Sequence, residues 1–154
     1  TPFAKADGPT DFKSWKLTSD GRGLCLSTGS GPAIVLAKAT LLKPPSRWND
    51  DPKQALTCCL QGEPLTKWLG ALEEWLLPKI PGVGEVKSCV KTNMFAETFV
   101  WAKLGPETRF FDATGAQKPD FVEAREVWVM LSLRPYCFAG AKEVSVKAIG
   151  LQAA

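Results

Sequence analysis

The stretch that most restricts the fold runs from Val127 to Leu151, VWVMLSLRPYCFAGAKEVSVKAIGL. In its first half Val127, Val129, Leu131 and Leu133 share one parity, while Trp128, Met130, Ser132, Arg134, Tyr136 and Phe138 share the other. Successive side chains of a strand point to opposite faces, so the aliphatic set belongs to a core and the second set to the opposite face. That second face carries three aromatics and a guanidinium, where an ordinary solvent face is polar. Gly140 supplies a turn, and Val144, Val146 and Ala148 then alternate with Ser145 and Lys147. The stretch reads as a β-hairpin with one apolar face and one aromatic, cationic face.

The rest of the chain supplies partners for that hairpin. Thr1 to Ser14 has no sustained period and reads as a flexible arm (residues 1–14), leaving 15–154 as one domain. Short strands are expected at Trp15–Ser19, Gly23–Ser27 and Ala33–Lys43, the last stopped by Pro44-Pro45. Others are expected at Ala55–Gln61, at Thr98–Leu104 before a Gly105-Pro106 turn, and at Arg109 into an Asp-x-x-Gly turn at Gly115. Val83 to Val90 carries no decisive period. Glu63 to Leu77 is the helix: Pro64 suits its first turn, and Leu65, Trp68, Leu69, Leu72 and Leu76 form one stripe. Many short strands and one helix make a mainly β domain, an OB-like antiparallel Greek-key barrel with a single amphipathic helix inserted.

Composition removes several chemistries. The chain has 154 residues and no His, which excludes Cys/His zinc sites, Ser-His-Asp and Cys-His nucleophile systems and imidazole acid–base catalysis. The five Cys (25, 58, 59, 89 and 137) show no CxxC spacing and read as reduced thiols of an intracellular, reducing compartment, the host cytoplasm if the protein is viral. No run approaches the roughly 18 apolar residues of a membrane helix, so no membrane is expected as partner. The chain begins at Thr1, as a processed product or an excised fragment would. Adjacent Asp50/Asp51 read as a solvated turn and Glu73/Glu74 as solvent-facing helix charges, and neighbouring acids diverge rather than converge. The expectation is a protein that is not an enzyme and uses no cofactor and no metal.

What remains is a binding surface. Phe99, Trp101 and Lys103 form one outward set, and Trp128, Met130, Arg134, Tyr136 and Phe138 another. If their two strands are neighbours, they make a platform of rings flanked by cations, on which bases stack at about 1–3 kcal/mol each. Lys38, Lys43, Arg47 and Arg109 then line the phosphate track, with Trp48 in the loop beside Arg47. The plainer alternative packs Phe99, Trp101 or Trp128 beneath the helix. An RNA-binding barrel and a structural or virion protein-interaction barrel stay open beside single-stranded DNA.

The run VWVMLSLRPYCFAGAKEVSVKAIGLQ resembles the closing hairpin of phage-type single-stranded DNA-binding proteins with an OB fold. Upstream, KATLLKPPSRW, a strand and the helix EPLTKWLGALEEWLL resemble the order of elements in that family, and RFFDATG resembles its turn before the last hairpin. The resemblance covers residues 33–151 and implies sequence-independent cover of single-stranded DNA in replication or recombination. Carried over by position, it favours Trp101, Trp128, Arg134, Tyr136, Phe138 and Trp48 as contacts. A homodimer and replication-protein partners stay open as further partner classes. Many members end in an acidic tail that recruits such partners, whereas this chain ends in GLQAA, so recruitment here takes another route or the tail was removed.

Overall fold

The strict alternation after Glu126 becomes a long strand in the computed structural model, which describes residues 4–5, 15–20, 23–28, 31–81, 84–138 and 140–154. The first elements are β1 (Ala4–Lys5), β2 (Lys16–Asp20), β3 (Gly23–Thr28), β4 (Gly31–Pro32), β5 (Ile34–Arg47) and β6 (Leu56–Gln61). Helix α1 (Glu63–Leu76) follows, then β7 (Glu85–Val86), β8 (Val90–Thr92), β9 (Thr98–Phe111), β10 (Gln117–Lys118), β11 (Glu126–Phe138) and β12 (Ala141–Ala153). Of the expected flexible arm, Ala4–Lys5 pairs in parallel with β5; its other residues through Ser14 lie outside the described ones.

Five strands close on themselves. β5 pairs with β6, β6 with β9, β9 with β12, β12 with β11, and β11 with β5, all antiparallel except β9–β12. Around the ring come the first, second, third, fifth and fourth barrel strands in chain order, the Greek-key closure of an OB-like barrel. Closure leaves these strands no long free edge. The helix sits between the second and third barrel strands in the chain.

The core follows the predicted parity. Val127, Val129, Leu131 and Leu133 are buried on β11 and share one core with Val144, Val146, Ala148 and Leu151 of β12. Parity on β12 changes because Met130 pairs with Gly150 but Leu131 with Ala148, leaving Ile149 as a bulge residue. The helix stripe Leu65, Trp68, Leu69, Leu72 and Leu76 is buried in the same cluster, with Trp15 tilted against Trp68 at 5.9 Å. Pro64 lies in the first turn as expected. Gly140 turns the closing hairpin at φ 76°, a backbone conformation that costs glycine little.

Two expected breaks are bulges instead. Pro44-Pro45 do not end β5: Lys43 pairs with Cys59 and Ser46 with Thr57, so the prolines occupy an irregularity where no ladder donor is needed. Gly105-Pro106 do not end β9 either. Leu104 pairs with Ala148 and Arg109 with Gly150, and the buried Thr108 hydroxyl spans the bulge. It accepts the Gly105 N–H at 2.9 Å and donates to the Ala148 carbonyl at 2.7 Å. The two strands read separately from the sequence are therefore one bent strand.

Glu73 also departs from expectation. It is buried, and its carboxylate accepts the Ser88 hydroxyl at 2.6 Å and the Cys89 N–H at 2.8 Å, while Glu74 is exposed. No disulfide joins the five cysteines; burial, with a smaller contribution from neighbouring Cys59, pushes the Cys58 thiol up to about 12. No helix among the described residues is long and apolar enough to cross a membrane.

Candidate nucleic-acid interface

Along β9, Val100, Ala102 and Leu104 are buried, so alternation turns Phe99, Trp101 and Lys103 outward. Register then fixes their neighbours. Lys43, Cys59 and Trp101 form one row across β5, β6 and β9; Ser46, Thr57, Lys103 and Lys147 form the next, reaching β12. Trp101 stays 40 % exposed, with the Phe99 ring edge-on to it at 6.1 Å and 89°. Trp101 is thus not sandwiched beneath the helix. Cys59 is buried between its row neighbours, which raises its thiol pKa against the opposing pull of Lys43.

The loop between β5 and β6 completes the site. It begins with a short 3-10 turn, Trp48–Asp50, in which Asn49 and Asp50 adopt left-handed backbone angles that short polar side chains tolerate. Arg47 donates from its guanidinium to the Gln54 carbonyl and so pins the loop to the end of β5. The result is a groove of about 570 Å³ lined among others by Lys43, Arg47, Gln54, Thr57, Trp101 and Lys103. Among the described side chains, one indole and three cations converge there. Asp50 in this turn is exposed, as expected of a solvated turn.

Trp128 lies on a different side of the barrel. β11 pairs with β12 and β5 but not with β9, so the two outward sets do not merge into the single platform that adjacent strands would have made. Trp128 instead shares a row with Lys38, Gln152 and Phe111; the next row holds Leu36, Met130, Gly150 and Arg109. Trp128 is 36 % exposed above a small pocket of about 70 Å³ that Phe111 and Met130 also line. Arg109, beyond the β9 bulge, faces this second surface and not the Trp101 groove.

Arg134 and Tyr136 have partners within the fold. The Arg134 Nε donates to the Leu24 carbonyl of β3 at 3.0 Å, and the Tyr136 hydroxyl donates to the Glu143 carboxylate. That bond, with burial second, pushes the Tyr136 phenol up to about 12. Phe138 ends β11 at the hairpin tip, its backbone paired with Ala141. Sequence reading did not single out Asn49, Gln54 or Thr57, polar loop and strand residues with no local signal. It also passed over Phe111, whose parity with Arg109 was available in RFFDATG.

No protein-family model and no curated protein matches the chain. Solved structures do. The chain is similar to gp2.5, a single-stranded DNA binding protein encoded by bacteriophage T7, with TM-score 0.53 and 13 % identity over 78 % of this chain and 90 % of that one. It is similar to the single-stranded DNA-binding protein of bacteriophage Enc34 in complex with single-stranded DNA, with TM-score 0.53 and 10 % identity over 89 % and 92 %. At such identities the likeness is one of fold, and the OB-like barrel read from the strand order is the fold these phage proteins share with this chain.

Proposed function

We propose that the protein binds single-stranded DNA without reading its sequence, as cover for the strand in replication or recombination. The observation that carries this reading is the half-exposed Trp101 in a groove that three cations share. Every base has a π-face, so Trp101, with Phe99 beside it, takes any base at about 1–3 kcal/mol per stack. Lys43, Arg47 and Lys103 take the phosphates, and Trp48 stands in the loop that borders the groove. Trp128, with Lys38 and Arg109, is proposed as a second contact for longer strands. Arg134 and Tyr136 are left to the fold because both are half-buried and bonded inside it, whereas Arg47 keeps an exposed side chain beside its bond to Gln54. The proposed role is binding alone, with no chemistry performed on the strand.

Fluorescence titration with an oligothymidine of about 30 nucleotides, at low and moderate salt, tests the proposal, because stacking quenches indole emission. The expected result is quenching with an affinity that falls steeply as salt rises, little competition from duplex, and weaker competition from RNA than from DNA. Trp101→Ala should weaken binding roughly 5- to 150-fold, the affinity equivalent of one stacked base. A flat response in the wild type, confirmed by a label-free method, would remove the reading and leave the aromatic face to a protein partner.

A further inference from the structure

The most exposed large apolar side chains among the described residues stand together. Met94 is 90 % exposed and Phe95 74 %, both at the tip of the β8–β9 hairpin. The tip is held firmly. The Asn93 side-chain oxygen accepts the N–H groups of Phe95 and Glu97 at 2.9 and 3.1 Å. The Asn93 backbone bonds to Glu97 and Ala96, and Ala96 takes a left-handed angle of φ 60° to close the turn. The Glu97 carboxylate accepts from the Asn93 amide at 3.2 Å and from the Gln61 amide at 3.3 Å, which ties the tip back to β6. A fixed turn that presents two unburied apolar side chains invites a ligand with a flat apolar face.

We propose that Met94 and Phe95 form a further base-stacking subsite, which continues the path of the single strand along β9 beyond Trp101. This rests on the single-strand reading of the Trp101 groove. Position supports it: Trp101, Phe99 and the tip follow one another along the same strand, and Lys91 pairs in register with Phe99, adding an exposed cation along the way. At about 3.3 Å per residue the tip stands roughly 15–20 Å from Trp101, a span that a few nucleotides cover. Size supports it too. Two side chains match one or two bases, whereas a stable protein interface buries about 1,200–2,000 Å². Two carboxylates lie near the tip: Glu97 is occupied by two amide donors, and Glu63, which lines a groove beside Ala96 and Glu97, is paired with Lys67.

The test compares oligothymidines of about 4 and about 12 nucleotides, both within the range one OB barrel occupies. For the full chain, Phe95→Ala and Met94→Ala should each lower the ratio of long-oligomer to short-oligomer affinity about 5-fold or more. A 12-mer carrying iodouracil near one end should cross-link to Phe95 or Met94. An unchanged ratio in both variants, with cross-links confined to the groove, overturns the subsite while the groove reading stands. Absence of wild-type binding to either oligomer overturns the groove reading, and the subsite with it. Both side chains are exposed, so the variants keep the fold.

Discussion

Glu73 shows how a single side chain can look idle in the sequence and be structural in the fold. It sits beside Leu72 on the edge of the helix stripe, where periodicity gives it to solvent as readily as Glu74. What buries it is a segment more than ten residues further on, Ser88 and Cys89, whose hydroxyl and N–H it accepts. No local pattern announces that return. Glu73→Ala strips both donors of their partner in a partly buried place, so it should cost about 1–3 kcal/mol. Glu74→Ala, on an exposed side chain, should stay within about 0.5 kcal/mol. Urea denaturation of the two variants checks the contrast, and equal losses would mean that the Glu73 contacts contribute nothing particular.

At the scale of elements, legibility tracked how local the cause was. The β11–β12 hairpin and helix α1 were readable because their buried faces repeat with the period of the element itself, at Val127, Val129, Leu131 and Leu133 and along the Leu65 to Leu76 stripe. The ends of β5 and β9 were not, because proline and glycine mark a break and a bulge with the same letters. Which one occurs depends on whether a partner strand continues past the irregularity, and that partner lies far away in the chain. The candidate site inherits this: Trp101 and Lys103 were legible from alternation, but their separation from Trp128 is a property of the ring order. The β9 bulge is what turns Arg109 and Phe111 toward the Trp128 side, and Thr108 holds it. Thr108→Val keeps the shape and removes both bonds, so about 1–3 kcal/mol of stability should be lost, with Thr108→Ser restoring most of it. Thermal and urea unfolding of the pair decide it; a Val variant as stable as wild type would show that the bulge is held by packing alone.

For the whole molecule, the charge that matters is local. A net charge of +3 is too small to gather a polyanion by itself, so the affinity proposed here must come from cations placed where a strand runs. Among the described residues two such places lie on separate sides of the closed barrel, the Lys43, Arg47 and Lys103 groove and the Lys38 and Arg109 surface around Trp128. A strand of a few nucleotides fits one of them; a long strand can follow the barrel to both. Each phosphate contact on single strands contributes about 0.7 to the slope of log affinity against log salt. Lys103→Ala should therefore flatten that slope by about 0.7 for short and long oligothymidine alike. Lys38→Ala should flatten it by the same amount for the long oligomer and leave the short one unchanged. If Lys38→Ala has no effect at any length, the strand stays on the groove side, and Trp128 with its neighbours is free to serve another contact.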